Sequence, residues 1–383
     1  MEKAKVYFTS MRVKAFGDNL LAKLQRLMRK AGIERIDFKD RFAAIKIHFG
    51  EAGNLSFVRP NFARVVAEEV KKLGGHPFLT DCNTLYVGSR KHALEHIETA
   101  YRNGFTPYTT GCHIIIGDGL KGTDDVAVPV PNGEYVKEAK IGRAIMDADI
   151  FISLNHFKGH EMTGFGGAVK NIGMGCGSRA GKMEQHCDGK PTVKQELCVG
   201  CHNCAKICAH GAPTFTAGKA SIDHNRCVGC GRCIGVCPKD AIEPSWGQEQ
   251  GLLDKKMAEY ALAVVHGRPQ FHISLVMDVS PYCDCHPEND APIVPNIGMF
   301  GENDAPILPD IGIFASFDPV ALDQACADAV NRQKPLADSV LAEHGDHHHD
   351  HFKDVSPETN WELQLDHAVK IGLGTREYEL VTV

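Results

Sequence analysis

The sequence predicts an α/β protein: a parallel sheet covered by helices on both faces, interrupted by a small α+β module rich in cysteine. Three observations predict it. Short apolar runs of β-forming residues alternate with segments of helical period, the pattern of a sheet buried on both sides. The alternation stops near residue 190 and resumes near residue 246. In between, eight cysteines fall in two runs of identical spacing.

The elements follow in order. Lys5–Thr9 is a short β-like run, and Asn19–Lys30 carries leucines at 20, 21, 24 and 27, a helical spacing. Ala43–Phe49 reads as a strand ending in His48-Phe49-Gly50-Glu51. Pro60 opens a helix through Lys72, a favoured first-turn placement, and Gly74-Gly75 stops it. A strand over Pro77–Thr80 leads into Asp81-Cys82-Asn83-Thr84, followed by a helix over Lys91–Arg102 and a strand over His113–Ile116. Ile141–Met146 is expected as helix and Ala148–Leu154 as a buried strand. After the cysteines come a helix over Gly251–Val265, strands over Phe271–Met277 and Ile311–Ala315, and a helix over Pro319–Val330. A helix over Trp361–Ile371, closed by Gly372, and a strand over Tyr378–Val381 complete the chain. The simplest architecture is one Rossmann-like α/β domain, residues 1–189 and 246–383, with an insert over 190–245.

The insert carries Cys198-Val-Gly-Cys201-His-Asn-Cys204-Ala-Lys-Ile-Cys208, then Cys227-Val-Gly-Cys230-Gly-Arg-Cys233-Ile-Gly-Val-Cys237-Pro238. Two runs of C-x2-C-x2-C-x3-C are the signature of a bacterial-type ferredoxin module with two [4Fe–4S] clusters. Three cysteines of a run share one tight loop, while the fourth points to the other cluster. The expected ligand sets are crossed: Cys198, Cys201, Cys204 and Cys237 for one, Cys227, Cys230, Cys233 and Cys208 for the other. Structural zinc uses paired C-x2-C motifs and needs no third cysteine two residues on. Disulfides fit worse, since such close triplets cannot all bridge without strain. Gly200, Gly229, Gly231 and Gly235 leave room for backbone amides to approach sulfur. The first run ends Cys208-Ala209 instead of Cys-Pro, which leaves all four thiols in place.

A net charge of -6 with no basic tract argues against a nucleic-acid partner. The first residues lack the apolar core of a signal peptide, and no apolar run is long enough to span a bilayer. Fifteen cysteines without an export signal point to the reducing cytoplasm and to metal.

In open parallel sheets ligands bind beyond the carboxyl ends of strands, and several strands here end in reactive residues. The richest stretch follows Leu154: Asn155-His156-Phe-Lys158-Gly-His160-Glu161-Met-Thr163-Gly164-Phe-Gly166-Gly167-Ala-Val-Lys170-Asn171, continuing to Cys176. Its glycines match neither a P-loop nor the dinucleotide fingerprint. Gly164, Gly166 and Gly167 either open a helix whose amides face an anionic cofactor, with Lys170 assisting, or form a tight turn packing helix on sheet. His156, Lys158, His160 and Lys170 are candidates for binding or catalysis. Cys283 and Cys285 form a C-x-C beside Asp284 and His286. With Cys176 and Cys187 they are candidates for a further metal, a redox pair, or small buried residues. Cys82, Cys112 and Cys326 lack a motif, and Cys326 reads as helix packing. Residues 289–300 are nearly repeated at 303–314, the first copy reading as an extra loop. The histidine-rich stretch from His344 to His351 reads as an exposed polar loop in preference to a metal site.

Several of these stretches resemble the family of iron–sulfur centre proteins built from domain of unknown function 362 with an inserted two-cluster module. They are Lys46-Ile-His48-Phe-Gly-Glu51, Thr80-Asp81-Cys82-Asn83-Thr84, His156-Phe-Lys158-Gly-His160, Gly164-Phe-Gly-Gly-Ala-Val-Lys170-Asn171, Asp278-Val-Ser-Pro-Tyr-Cys283-Asp-Cys285 and Phe314-Ala-Ser-Phe-Asp318-Pro-Val-Ala-Leu-Asp323. The resemblance implies the fold and the clusters but no reaction. His160, Gly164-Phe165, Gly166-Gly167 and Lys170 are also similar to the cofactor-anchoring segment of nickel-pincer lactate racemases, with the lysine one residue later. That similarity implies a shared fold and a ligand near this loop.

Two functions fit. One is an oxidoreductase whose clusters pass single electrons between a partner protein and a substrate, cofactor or metal on the α/β domain. The other is an electron carrier or assembly partner without substrate, whose α/β domain is a docking module.

Overall fold

The computed structural model describes residues 3–85, 88–186, 189–245, 251–283, 304–345 and 349–383. The chain opens with strand β1 (Ala4–Ser10) and helix α1 (Leu20–Ala31). Asn19 caps that helix by accepting the amides of Leu21 and Ala22, and Gly32 ends it in the left-handed region at φ 89°. Next come β2 (Phe42–Lys46), α2 (Pro60–Lys72), β3 (His76–Asp81), α3 (Ala93–Arg102), the short α4 (Pro107–Thr110) and β4 (His113–Ile116). A hairpin of β5 (Asp125–Pro129) and β6 (Glu138–Gly142) leads through α5 (Arg143–Met146) into β7 (Ile150–His156). The helix expected from residue 141 starts only at Arg143, because Ile141 pairs with Val126 in the hairpin.

A small hairpin, β8 (Lys158–His160) and β9 (Gly164–Gly166), precedes α6 (Ala168–Cys176) and α7 (Arg179–His186). The cysteine-rich segment contains β10 (Pro191–Val193), α8 (Asn203–Ile207), β11 (Pro213–Thr216), β12 (Lys219–Ile222), α9 (Arg232–Gly235) and β13 (Ile242–Pro244). The chain then returns to the main fold through α10 (Leu252–Val265), β14 (Gln270–Val276), β15 (Gly312–Ser316) and α11 (Pro319–Asn331). It ends with α12 (Val340–His344), α13 (His351–Val355), α14 (Glu362–Ile371) and β16 (Tyr378–Thr382).

Eight strands form one sheet in the order β16-β1-β15-β14-β7-β2-β3-β4. Five of them, β14, β7, β2, β3 and β4, pair in parallel, and β16 runs parallel to β1. The wholly parallel expectation fails at β15, which is antiparallel to both β14 and β1. Parallel neighbours need a crossover that returns the chain to the starting edge. No helix is described between β14 and β15, and Ile311 N bonds Val276 O at 2.9 Å, so the chain re-enters at the edge where β14 ended.

Alternate strand residues divide between two cores, so both faces of the sheet are buried. On one face Phe151, Val276 and Phe314 pack with α6, α10, α11 and α14 through residues such as Ile172, Ala261, Leu322 and Leu365. On the other, Ile152, Ile273 and Ile313 pack with α1 and α2 through Leu24, Leu27, Phe62 and Val66. Cys326 is fully buried in the first core, the packing role its helix implied. Among the described residues no helix is long and apolar enough to cross a membrane.

The cysteine-rich segment is an insert of small hairpins and single-turn helices. β10 pairs with β13, Pro191 opposite Pro244, which brings its two ends together, and β11 pairs with β12. Its apolar centre, Cys198, Cys204, Ala220, Ile234 and Ile242, is continuous with Met183 of α7 and with Leu85 beyond β3. Lys91 and Asp240 form an ion pair of 2.7 Å across the same junction. Residues 289–300 of the near-repeat, with Asn303, lie outside the described residues, as do His347 and His348. His351 is not in an exposed loop: it starts α13, is buried, and bonds Gln333 O at 2.8 Å.

Candidate functional site

The two cysteine runs fold onto each other so that two cavities form, with about 350 and about 340 Å³ of unfilled space. Cys198, Cys201, Cys204 and Cys237 line the first; Cys208, Cys227, Cys230 and Cys233 line the second. The fourth thiol of each run therefore faces the first three of the other. The loops repeat in backbone as well: Gly200 and His202 have φ 65° and 62°, and their counterparts Gly229 and Gly231 have 74° and 65°. These left-handed turns curl each loop tightly around its cysteines, and amides from the turns and from the segments after the loops face sulfur. Ala220 N donates to Cys198 Sγ at 3.3 Å, Gly229 N to Cys227 Sγ at 3.4 Å, Ala212 N to Cys208 Sγ at 3.4 Å and Ala241 N to Cys237 Sγ at 3.3 Å. The amides of Ala220 and Gly200 draw the Cys198 thiol below its ordinary range. All thirteen described cysteines are free thiols. Such sets suit soft metal centres ligated by thiolate.

A second site lies at the carboxyl ends of β2, β3 and β7, where a cleft with about 560 Å³ of unfilled space opens to solvent. Lys46, His48, Arg90, His156, Lys158, Lys170 and Lys182 line it, with Asp81 as the lining carboxylate. Lys46, the last residue of β2, is 1% exposed and reaches Asp81 Oδ1 and Asn171 Oδ1, each at 2.9 Å. Burial works most strongly to raise the Asp81 carboxyl, but Lys46, His96, His48 and Lys182 together outweigh it and hold it at about 2. Arg90 is buried between Glu51, 2.9 Å away, and His48, 3.0 Å away. Asn171 Nδ2 ties α6 to the sheet through Ser153 Oγ at 2.8 Å. Even with Lys46 and Arg90 neutralised by Asp81 and Glu51, the lining keeps an excess of positive charge in a largely buried place, which favours an anionic occupant.

The candidates after β7 do meet here. His156 Nε2 donates to Met277 O at 2.8 Å and Asp278 O at 3.1 Å, anchoring the end of β7 to the segment after β14. Lys158 and Lys170 flank Gly166: a Cβ there would lie 3.4 Å from Lys158 Cε and 3.1 Å from Lys170 Cδ. Lys170 Nζ stands 3.3 Å from Cys283 Sγ. His160, Glu161 and Cys283 bring ligand-type atoms within 4.8 Å of one another. His160 Nδ1, however, accepts the amides of Met162 and Thr163 at 3.0 and 3.2 Å. The neutral ring then carries its proton on Nε2, the atom 3.8 Å from Glu161 Oε1. Metal-bound histidines donate their second N–H outward, so this trio fits a hydrogen-bonded thiol better than a cation.

The helix after the glycines does begin at an anion, but the anion is internal. Ala168 N and Val169 N donate to Asp323 Oδ1 and Oδ2 at 2.6 and 2.8 Å. The free amides expected to hold a cofactor are thus spent on α11, and Gly167 is there because a Cβ would collide with Asp323. Cys176 sits in the hydrophobic core at the end of α6, where burial pushes its thiol up to about 12, so it is not part of the Cys283 group. Cys187 and Cys285 lie outside the described residues. Lys46, Arg90, Lys182 and Glu161 escaped the residue-by-residue reading. Lys46 left one signal, a lysine inside the otherwise apolar strand Ala43-Ala44-Ile45-Lys46-Ile47.

Helix α7 links the two sites. Lys182 lines the cleft and donates to Gly177 O at 2.6 Å. Arg179 and Met183 pack against the loop of the second cysteine run: a Cβ at Gly231 would lie 2.9 Å from Arg179 Cγ and 3.1 Å from Met183 Cγ.

Comparison with known proteins gives a family and no reaction. No curated protein matches the chain. Among solved structures, lactate racemase apoprotein from Thermoanaerobacterium thermosaccharolyticum is similar at 12% identity, TM-score 0.36, over 72% of this chain and 51% of that one. A protein from Thermotoga maritima is similar at 12% identity, TM-score 0.33, over 67% of this chain and 50% of its own. This chain thus spans about half the length of each. The family model described as "Domain of unknown function (DUF362)" matches residues 43–328, which include both cysteine cavities and the cleft, and the chain belongs to that family.

Proposed function

We propose that this chain is an iron–sulfur oxidoreductase. Cys198, Cys201, Cys204 and Cys237 hold one [4Fe–4S] cluster, and Cys208, Cys227, Cys230 and Cys233 hold a second. The cleft takes the small anionic substrate or cofactor that exchanges electrons with them. The observation that carries the reading is the pair of cavities, each lined by one crossed set of four thiols. Bound clusters supply one-electron transfer at low potential. The four amides that face sulfur stabilise thiolate charge and tune that potential.

On the α/β side, Lys158, Lys170 and Lys182 neutralise the incoming anion. Lys170 also donates to Cys283 Sγ, 3.3 Å away, and so holds a polarisable group beside the anion. Anaerobic metal and sulfide analysis tests the cluster half of the proposal. About eight iron and eight sulfide per chain are expected; zinc without sulfide would overturn it. Phosphate and sulfate, used as probe anions, should compete for the cleft in titration calorimetry. Absence of any anion binding would remove the cleft from the reaction.

A further inference from the structure

The two cysteine runs share spacing and backbone but not neighbours. Aligned on their cysteines, His202 corresponds to Gly231 and Lys206 to Gly235. Backbone conformation does not demand glycine at 231, because His202 adopts the same left-handed turn at φ 62°. What demands it is Arg179. A Cβ at Gly231 would lie 2.9 Å from Arg179 Cγ, and one at Gly235 would lie 2.7 Å from its Nη1. The second run is thus hollowed at two positions for one guanidinium, and the first run keeps side chains at both.

That guanidinium is fully buried. Its Nη2 donates to Lys91 O, while Nε and Nη1 find no acceptor among the described residues. An arginine stays charged under any ordinary condition, and leaving its donors unfilled in the interior is costly. The groups with which it interacts electrostatically are Asp118, Cys233 and Cys230. One turn along the same helix Lys182 lines the cleft.

We propose that Arg179 raises the reduction potential of the cluster held by Cys208, Cys227, Cys230 and Cys233 above that of its counterpart, and so makes that site the electron-accepting end beside the α/β domain. The inference rests on the cluster reading above. Reduction adds a negative charge to a centre already ligated by four thiolates. A fixed cation with unfilled N–H donors in a low-dielectric place favours the reduced state. Arg179 acts through the cluster environment and is a positioning residue. Asp118 works against it, and although burial pushes that carboxyl up to about 6, it is ionised at pH 8.

The test is an anaerobic redox titration of the intact protein at pH 8, followed by electron paramagnetic resonance, with iron and sulfide counted on each sample. In Arg179→Met one of the two potentials should fall by at least tenfold in its one-electron equilibrium, about 59 mV, while the other stays. Arg179→Lys, which keeps the charge, should recover part of the shift. Asp118→Asn should move the same potential upward, an opposite sign that loosened packing would not produce. If Arg179→Met loses iron, Asp118→Asn decides alone: a rise in one potential supports the proposal and an unmoved pair overturns it. Eight irons with both potentials unchanged in both variants would refute the role of Arg179. A wild-type protein without eight irons and eight sulfides would refute the cluster reading instead.

Discussion

The cavity around Cys230 is lined entirely by residues from Cys208 to Cys233, whereas the cleft gathers residues from Lys46 to Lys182 off five strands, two helices and the loops between them. The first is assembled by two short loops and the amides of Gly229 and Ala212 close to them in sequence. The second exists only once β7, β2 and β3 lie side by side. Their electrostatics differ as well. The cysteine cavities present thiols and backbone N–H groups, while the cleft presents lysines, imidazoles and one paired carboxylate. One site suits a preformed inorganic centre and the other an exchangeable anion. The difference also says which failures each should tolerate: loss of a thiol is local in the module, and loss of the buried Lys46–Asp81 pair in the cleft is felt by the sheet.

The largest expected effect tests the crossing of the thiols. Cys208→Ala and Cys227→Ala remove ligands from one cavity, so the double variant should lose about four of eight irons, the same as either alone. Cys208→Ala combined with Cys198→Ala strikes both cavities and should lose nearly all iron. Iron analysis after anaerobic purification checks this. If Cys208 and Cys198 prove to share one centre, the crossed arrangement is wrong.

In the cleft the corresponding break is Lys46→Met. It leaves Asp81 buried without its main partner, which costs about 3–5 kcal/mol for a buried pair. Urea denaturation should show the loss, with iron content per folded chain unchanged. Adding Asp81→Asn should recover most of it, because the stranded charge is gone while the acceptor for Cys82 N, 2.9 Å away, is kept. A Lys46→Met protein as stable as wild type would mean that the pair contributes only to binding.

How much of each site could be read from the chain follows from the same contrast. The crossed grouping of the thiols was legible because each run packs four cysteines into eleven residues at a repeated spacing. The segment after β7 was legible because strand ends in parallel sheets collect function. Asp323 was not, since it reaches α6 from 155 residues further along. The partnership of Lys46 with Asp81 depends on strand order, which no local pattern encodes. Likewise the reversal of β15 depends on how the chain leaves β14. Gly231 and Gly235 were in plain view, but their reason, Arg179, lies on a helix before the insert.

A smaller effect distinguishes buried charge in the cleft wall from buried charge elsewhere. Asp254 of α10 is buried, and desolvation pushes its carboxyl up to about 7, with Lys170 pulling the other way. A folded pKa above the unfolded value near 3.8 means stability that is complete below pH 3.8 and lost as pH rises to about 7. Wild type should therefore lose about 1.4 kcal/mol per pH unit, relative to Asp254→Asn, between pH 5.5 and 7. Above about pH 8 the two should run parallel. Denaturation series at several pH values measure it. A difference independent of pH would place the carboxylate in water.

The smallest effect isolates the anion site from everything else. Lys170 is half-buried, stands 3.3 Å from Cys283 Sγ and shares the space over Gly166 with Lys158. Its ammonium is not part of the Lys46–Asp81 pair, so Lys170→Met should leave folding and iron content untouched. A charge-assisted hydrogen bond contributes about 1.5–3 kcal/mol, so phosphate or sulfate should bind at least about tenfold more weakly in calorimetry. Cys283→Ser keeps the lysine and should leave anion affinity within about twofold, separating the cation from the thiol it faces. The two variants make the cleft answer the question the module cannot, namely which charge meets the ligand. Equal weakening by both would show that the thiol and the lysine act as one unit. No weakening by Lys170→Met would move the ligand toward Lys182 and α7, against the wall shared with the cysteine insert.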